Sequence, residues 1–332
     1  KMSPYSLLAI ILSFLITLKL LPSWIYRANK ANLTGKDINK PDHKEVAELG
    51  GLAVICGFIA GSLIYIAVRV FFYEQASFIY ALFAAIAAIL IATIIGLVDD
   101  ILGWKIGLRQ RHKIMLSIAI ALPIVVINAG VSKMNIPFIG FIEFGLIYPL
   151  LIIPLIIIGA SNAFNMLAGY NGLEAGMGII ILSTLSFIAY KTGTFWIAVP
   201  GLCMVAALLA FLRYNFYPAE VFPGDTMTYS IGAMIGIIAI MGNLEKFALI
   251  LFIPYFFEFI LKARGKMQKE SFGKALPDGS LTNRYNKWYG LEHITISLLR
   301  KLKGKAYEWE VTILLLAAES LLAIITLIYF AI

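Results

Sequence analysis

Long apolar runs separated by short polar stretches make up most of this chain. Ten runs approach or reach the roughly 20 residues that a membrane-spanning helix needs, and they lack the period-2 alternation of barrel strands. The pattern therefore predicts an all-α fold, a polytopic membrane bundle of ten transmembrane helices, with residues 1–332 as one domain. The runs lie near 5–25, 50–72, 77–98, 113–130, 146–161, 174–190, 195–213, 226–242, 245–262 and 310–332.

The overall composition supports a membrane location. Hydrophobic residues make up 61% of the 332 residues and charged residues 14%, and the mean hydropathy is +0.88. Such a chain lies outside the soluble class. The first run is longer than a signal-peptide core and no A-x-A-like site follows it, so we expect it to stay attached as an anchor.

The basic residues predict the orientation of the bundle. In the ten-helix scheme, 21 of the 27 Lys and Arg residues fall on one side, five fall on the other, and Lys19 lies within the first run. The positive-inside rule then places the N-terminus outside and the C-terminus in the cytoplasm. The net charge of +8 has two explanations, attraction to anionic lipid headgroups and binding of an anionic substrate. Charge alone does not distinguish between these two explanations.

The longest polar segment is the predicted cytoplasmic loop 262–309. Leu276–Leu281 indicates a tight turn within a small hairpin. Farther along, leucines and isoleucine recur at helical spacing beside basic residues, which predicts a helix lying in the membrane interface over 289–305. Membrane anchoring without a catalytic part is the favoured interpretation of this helix.

Polar residues that interrupt or end apolar runs are the first candidates for chemistry, because they are costly at membrane depth. Asp99 and Asp100 close the third run, where the helix dipole disfavours negative charge and the two carboxylates repel each other. A purely structural role for these two aspartates is therefore disfavoured, and a functional role is favoured. The simpler alternative is a solvated helix end balanced by cations such as Lys105 and Arg109.

A second candidate is the Asn-rich stretch from Asn162 to Glu174. Asn162 and Asn165 share a helix face if the fifth helix continues, while Gly169 and Asn171 indicate a turn. Amides suit nucleobase recognition or a metal's oxygen shell, and hydrogen bonding between helices is the alternative for each single Asn. Three Asn residues with Glu174 inside thirteen positions favour a site.

Two further stretches lie at the ends of predicted spans. Asp225 enters the eighth span after Phe222, where a helix N-cap is the simplest role for a carboxylate. Arg264 and Lys266 belong to a basic strip after the ninth span. Acids, amides and cations on one membrane face are the ingredients for holding a magnesium-bound diphosphate, because phosphoryl transfer needs mainly positioning, a divalent cation and cationic clamps.

The motifs resemble those of the polyprenyl-phosphate N-acetylhexosamine-1-phosphate transferases, most closely their eukaryotic and archaeal branch, which also have ten membrane helices. The stretch Asn162 to Glu174 is highly specific for this family, whereas a lone Asp-Asp pair is not. The matching stretches run nearly the whole length of the chain. They are Gly35 to Lys40, Glu48, Asp99–Asp100, Arg111 to Lys113, Asn162 to Glu174 and Phe222 to Thr226.

The resemblance implies a magnesium-dependent transfer of N-acetylglucosamine-1-phosphate from its UDP carrier to dolichyl or another polyprenyl phosphate, with Mn²⁺ as an alternative metal. It assigns the metal to Asn165 and Asp225, and a phosphate contact to Lys113. Asp99 and Asp100 lie beside the attacking lipid phosphate. That phosphate is already largely dianionic at neutral pH, since its second pKa is about 6, so the aspartates can position it rather than act as bases.

The resemblance also implies how the donor binds. Arg264 and Lys266 face the sugar and diphosphate, although Arg264-Gly265-Lys266 departs from the Arg-His-Arg-type sequence of the eukaryotic enzymes. Glu48 and Asn162 support the site, and Glu174 completes the candidates for substrate binding. Four positions are assigned to uridine: Ile38, Gly169, Asn171 and Phe222.

The expected partners are therefore a UDP-sugar, a polyprenyl or dolichyl phosphate and the membrane, with no nucleic acid and with a homodimer as one allowed assembly. The active site faces the cytoplasm, at the plasma membrane in an archaeon or the endoplasmic reticulum in a eukaryote. One alternative is a relative that uses another UDP-sugar, such as the muramoyl-pentapeptide precursor. A nucleotide-sugar transporter is the alternative from another class, but it predicts mid-bilayer polar groups and symmetric halves, which the sequence does not show.

Overall fold

The computed structural model describes residues 4–73, 78–106, 110–136 and 140–332, and most of these residues are helical. A π-helical turn, Tyr148–Ile152, leads directly into the fifth helix. The helices are α1 (Pro4–Lys30), α2 (Gly51–Tyr73), α3 (Ile79–Ile106), α4 (Gln110–Val126), α5 (Ile153–Phe164), α6 (Leu173–Lys191), α7 (Phe195–Asn215), α8 (Gly224–Met241), α9 (Glu245–Leu251), α10 (Ile253–Arg264), α11 (Leu291–Lys303) and α12 (Glu308–Ala331).

Seven helices within these ranges are long and apolar enough to cross a membrane: α1, α2, α3, α6, α7, α8 and α12. The predicted helical membrane fold is thus confirmed in its main feature. The other three predicted runs correspond to α4, to the π-helical turn with α5, and to α9 with α10. The total of ten crossings and the orientation of the termini stay predictions.

A proline lies in or next to the irregular part of two of these shorter segments. Pro149 lies in the π-helical turn, and Pro254 follows the break between α9 and α10 at Phe252. Proline lacks a backbone N–H and its ring clashes with the preceding turn, so it favours an interruption. It does not require one, since α1, α4 and α7 continue through Pro22, Pro123 and Pro200. The apolar pattern predicts the runs but not these breaks.

Three short antiparallel strand pairs lie between the helices. β1 (Thr34–Lys36) pairs with β2 (Glu45–Ala47), β3 (Lys133–Ile136) with β4 (Gly140–Glu143), and β5 (Lys274–Ala275) with β6 (Leu281–Thr282). The first two pairs are not indicated by the apolar pattern, because strands this short show little period-2 alternation. The third pair encloses the turn after Leu276, in the region where the sequence predicts a small hairpin.

The helix α8 forms the centre of the bundle. Every residue from Thr226 to Met241 is buried, and α3 and α5 pack closely against it. Glycines allow this proximity: a Cβ added to Gly96 of α3 would overlap the Thr226 nitrogen, and one added to Gly232 would lie 2.5 Å from the Ala160 oxygen. Small residues at such crossings let membrane helices approach closely.

We expect Gly96→Ala to lower the free energy of unfolding by about 1–3 kcal/mol, as overpacking of a dense interior does. The atoms that the new methyl group meets belong to the α8 backbone, which cannot rotate away. Thermal unfolding of the purified protein in detergent measures the change. Gly159→Ala is the matched control, because Gly159 is also helical but a methyl group there would meet no atom of another segment within 4 Å. Equal stability of the two variants would contradict the close α3–α8 crossing.

Candidate active site

Four helices bring predicted site residues together at one end of the bundle. Lys113, at the start of α4, places its Nζ 2.5 Å from Asp99 Oδ2 of α3 and 2.8 Å from Asp225 Oδ2 of α8. The side chains of Asp99 and Asp225 are only 12% and 22% exposed. One ammonium thus bridges two partly buried carboxylates, so Asp99 is not the freely solvated residue that the simpler interpretation required.

Asp100 has a different role from its neighbour. Its Oδ1 accepts a hydrogen bond from the Asp225 N–H at 2.8 Å, and its Oδ2 accepts from the Thr226 N–H at 3.0 Å and the Thr226 hydroxyl at 2.6 Å. The first N–H groups of a helix have no partner within it and carry partial positive charge. Asp100 therefore caps α8 from another helix. This was the role that the simplest sequence interpretation gave to Asp225.

The end of α3 also differs from the sequence prediction. The helical assignment extends to Ile106 and includes a non-helical residue, Gly103, with φ of 69°. Asp99 and Asp100 consequently lie within the helix, about one turn before that interruption, and not at its end. The apolar pattern placed the boundary at the first charged residues, but hydrogen bonds to α8 and the ion pair with Lys113 stabilise these carboxylates inside the helix.

The two amides at the end of α5 face α8. Asn165 Oδ1 accepts a hydrogen bond from the Thr228 hydroxyl at 2.8 Å, and Asn162 Oδ1 accepts one from the Tyr229 hydroxyl at 3.3 Å. Asn162 also donates to the Ser117 hydroxyl of α4 at 3.1 Å. The predicted interhelical hydrogen bonding is present for both residues. It fixes the amides beside the Lys113 ion pairs.

The chemistry of these donors fits a magnesium ion. Within the described residues there is no group of three or more His, Cys, Asp and Glu side chains that could hold a metal by itself. Mg²⁺, however, takes oxygen ligands and is usually bound through one or two carboxylates together with waters and substrate phosphates. The Asp225 carboxylate and the Asn165 amide oxygen supply that limited set. Mg²⁺ binding by these residues stays a prediction.

A second polar cluster joins three segments that are distant in the sequence. We call it the Lys40 cluster, and it consists of Asp37, Lys40, Asn171 and Glu308. Lys40 Nζ forms an ion pair with Asp37, lies 3.1 Å from Glu308 Oε2 and donates to Asn171 Oδ1 at 2.9 Å. The Asn171 N–H donates to Glu308 Oε1 at 2.9 Å. The cluster thus connects the first loop, which joins α1 to α2, with the α5–α6 loop and the first turn of α12.

Other hydrogen bonds fix the α5–α6 loop around Gly169. Gly169 donates its N–H to Glu174 Oε1 at 2.7 Å, and its carbonyl accepts from Asn39 Nδ2 at 3.0 Å. Its φ of 103° favours glycine, and a Cβ at this position would overlap the Phe272 ring. Gly169 and Glu174 therefore shape this loop, which the resemblance assigns to uridine.

The remaining predicted positions lie around these two clusters. Half-buried Ile38 lines a cavity of about 580 Å³, together with His43 and residues of the β5–β6 hairpin. Phe222 donates its N–H to the Ala47 carbonyl at 2.7 Å, which ties the start of α8 to β2. Arg264 and Lys266 are exposed at the end of α10. Their role in binding the sugar and diphosphate stays a prediction.

Glu48 lies between β2 and α2, where its carboxylate contacts β1. A Cβ added to Gly35 would overlap Glu48 Oε1. Burial raises the pKa of Glu48 above its ordinary value, and the charge of Asp100 raises it further. Glu48 is thus close enough to the α3–α8 junction to respond to its charge, in keeping with the supporting role that the resemblance implies.

Sequence reasoning missed Asp37, Lys40 and Glu308 as individual site residues. Lys40 was counted only as one of many loop cations, and Glu308 begins a helix where a carboxylate is ordinary. One signal was available, because Asp37 and Lys40 fall inside the stretch that resembles the family. Their contact with Asn171 and Glu308 depends on the packing of α12 and has no local pattern.

The ion pairs of Lys113 with Asp99 and Asp225 form the first cluster, and an apolar cavity of about 710 Å³ opens beside it. Asn162 lines it close to the Lys113 ion pairs, and Glu245 lines it near the opposite end of α8. Most of its other lining residues are aliphatic or aromatic, among them Ile156, Ile235 and Phe256. A cavity of this size and lining suits a hydrocarbon chain whose polar end lies near Asn162.

The fold and the site define a helical membrane protein that gathers acids, amides and a lysine beside an apolar cavity. Residues 82–243 match the family model described as Glycosyl transferase family 4. A Saccharolobus solfataricus protein with the provisional name UDP-N-acetylglucosamine–dolichyl-phosphate N-acetylglucosaminephosphotransferase is 40% identical over 97% of this chain and 96% of its own.

Two more distant relatives show the breadth of the family. The UDP-N-acetylglucosamine–dolichyl-phosphate N-acetylglucosaminephosphotransferase of Dictyostelium discoideum is 28% identical over 74% of this chain and 68% of its own. The phospho-N-acetylmuramoyl-pentapeptide-transferase of Halalkalibacterium halodurans is 32% identical over 74% and 77%, respectively. The chain belongs to glycosyl transferase family 4, among the polyprenyl-phosphate N-acetylhexosamine-1-phosphate transferases, as the motifs indicated. It is an integral membrane sugar-phosphate transferase.

We expect Asp100→Ala to destabilise the protein by about 1–2 kcal/mol, as loss of a helix cap does. The substitution leaves two N–H groups of α8 without their acceptor. Asp100→Asn retains one acceptor oxygen and should lose less. Thermal unfolding in detergent measures both. Asp99→Ala is the control, because it leaves the contacts of Asp100 with the α8 backbone in place; a larger loss in that variant than in Asp100→Ala would contradict the capping role.

Proposed function

We propose that the protein transfers N-acetylglucosamine-1-phosphate from UDP-N-acetylglucosamine to dolichyl or a related polyprenyl phosphate, with Mg²⁺ as cofactor. The reaction takes place at the cytoplasmic membrane face and releases UMP. The observation that carries the proposal is the joint position of Asp99, Lys113 and Asp225, with the Asn165 amide bound to Thr228 of the same helix as Asp225. The apolar cavity lies next to this group, because Ile114, which follows Lys113 in the chain, lines it. The names of the Saccharolobus and Dictyostelium relatives support this choice of substrates.

The chemistry is a phosphoryl transfer between two phosphates. An oxygen of the lipid phosphate attacks the phosphorus that carries the sugar, and the bond from that phosphorus to the bridging oxygen breaks. The bridging oxygen leaves with UMP, and a polyprenyl-diphospho-sugar forms. Because the attacking phosphate is largely dianionic at neutral pH, no protein base needs to remove a proton.

The protein's contribution is position and charge. Lys113 stabilises the negative charge on the transferred phosphoryl group, and Asp99 holds the Lys113 ammonium in place. Asp225 and Asn165 are the residues that would hold Mg²⁺, and the ion would supply positive charge to offset that of the donor diphosphate. Asp100 holds the start of α8, and therefore Asp225, in a fixed position.

The apolar cavity supports a lipid acceptor. Its lining along α5, α8 and α10 accommodates the first isoprene units, and the acceptor phosphate then lies near Asn162 and Lys113. The product is the first lipid-linked sugar of a glycan pathway such as protein N-glycosylation. A related transferase that uses another UDP-sugar is the alternative, because the Halalkalibacterium relative is named for a muramoyl-pentapeptide substrate.

Purified protein with UDP-N-acetylglucosamine, polyprenyl phosphate and Mg²⁺ should release UMP and form a lipid diphospho-sugar. A coupled UMP assay measures the rate, and mass spectrometry of the lipid product identifies the sugar and acceptor together. Competition between UDP-sugars separates the two transferase alternatives. The proposal fails if no UDP-N-acetylhexosamine supports UMP release. Uptake of UDP-sugar into vesicles without a lipid-linked product would instead indicate a transporter.

We expect Asp225→Ala to retain the fold and to lower turnover by about 100-fold or more, because the proposed carboxylate ligand of Mg²⁺ is removed. The Mg²⁺ dependence of UMP release is the measurement, and the thermal unfolding temperature reports on the fold. Asp42→Ala is the matched control, since Asp42 is an exposed carboxylate of the first loop. Turnover like that of the wild type in Asp225→Ala would remove Asp225 from the site.

A further inference from the structure

The Lys40 cluster buries three charged groups where the first loop, the α5–α6 loop and α12 meet. The side chains of Asp37 and Glu308 are 3% and 1% exposed, and that of Lys40 is 13% exposed. Burying charges costs several kcal/mol per ion unless partners compensate for the lost hydration. Each of these groups has such a partner within the cluster, so the three segments are held in one arrangement.

The cluster also keeps its central lysine charged. Burial alone would lower the pKa of Lys40, but the charges of Glu308 and Asp37 outweigh that effect and raise the pKa above its ordinary value. The ammonium therefore persists throughout the physiological range. It lies 4.7 Å from the centroid of the Tyr217 ring, which covers a further side of the group.

Three of the four hydrogen-bonding positions of the Asn171 amide are used in this arrangement. Its Oδ1 accepts hydrogen bonds from Lys40 Nζ at 2.9 Å and from the Ala219 N–H at 2.8 Å, and its Nδ2 donates to Asp37 Oδ2 at 3.3 Å. The residue is 3% exposed. In this structure the side chain thus serves the α5–α6 loop itself and offers a nucleobase little more than one remaining amide hydrogen.

Two other positions that the resemblance assigns to uridine are attached to the same cluster. Ile38 lies directly between Asp37 and Asn39 in the chain, and Asn39 donates to the Gly169 carbonyl at 3.0 Å. Asn39 Nδ2 also lies 3.5 Å from Glu308 Oε1. The relative position of Ile38 and Gly169 therefore depends on contacts made by residues to which no substrate role has been assigned.

We propose that the Lys40 cluster is the positioning unit of the nucleotide site, and that Lys40 acts through Asn171 to set the affinity for the uridine moiety. This inference rests on the proposed function, since it presumes a uridine nucleotide as donor. Lys40 is a positioning residue, because its ammonium is surrounded by Asp37, Glu308, Asn171 and Tyr217 and not by open space. If Lys40 positions the nucleotide site, its loss should weaken binding of the nucleotide more than it changes kcat or acceptor binding.

We expect Lys40→Met to weaken UMP binding and to raise the KM for UDP-N-acetylglucosamine about tenfold, which corresponds to about 1.4 kcal/mol. The kcat and the KM for the lipid phosphate should change less than about twofold, because the Lys113 ion pairs are separate from this cluster. Isothermal titration with UMP and steady-state UMP release measure these quantities. Lys40→Arg keeps the charge and should recover part of the affinity. Lys44→Met, at an exposed lysine of the same loop, is the matched control.

A second variant keeps the test informative if Lys40→Met does not fold. Glu308→Gln leaves one carboxylate for Lys40 and an amide oxygen for the Asn171 N–H, so it should fold and weaken UMP binding about threefold. Unchanged UMP affinity in both folded variants would overturn the inference. Equal losses of kcat and of affinity for donor and acceptor would also overturn it, because they indicate a general structural role.

The experiment separates this inference from the proposed function. Wild-type protein that binds UMP but transfers no sugar phosphate, with binding weakened in Lys40→Met, would support the positioning unit and refute the transferase proposal. Normal turnover in the wild type together with normal UMP binding in Lys40→Met would support the transferase proposal and refute the positioning unit.

Discussion

The capping of α8 by Asp100 is the contact on which the geometry of the first cluster depends. A carboxylate of α3 accepts three hydrogen bonds from the first residues of α8, and the close approach at Gly96 makes those bonds possible. Asp225 is the second residue of α8. The distance between Asp225 and Lys113 is therefore fixed by Asp100, whose own oxygens accept hydrogen bonds from α8.

This division of roles explains why two adjacent aspartates occur in α3, a helix long and apolar enough to cross a membrane, where a charge is costly. Asp100 compensates for its burial with the partial positive charge of a helix N-terminus, and Asp99 compensates with the Lys113 ammonium. Asp99 thereby holds the Lys113 ammonium in place, and Asp100 holds the first residues of α8.

The sequence predicted some elements well because their signals are local. The membrane helices follow from runs of apolar residues, and the Asn162 to Glu174 stretch is specific enough to indicate the family by itself. The interruptions at Pro149 and Phe252 were not predicted, since an apolar run reads the same whether or not its backbone is regular. Strands of two to four residues, such as β1 and β2, leave too short a pattern to be read.

The sequence by itself determined that the chain is a helical membrane protein of a sugar-phosphate transferase family, and it identified Asp99, Asn165 and Asp225 as candidates. Only the tertiary structure decided which of these residues meet Lys113, which one caps α8, and that Asn171 is bound to Lys40 and Glu308. The physical reason is that hydropathy and motifs are properties of neighbouring residues. Ion pairs and helix caps between α3 and α8, or between the first loop and α12, join positions more than a hundred residues apart, and only packing brings them together.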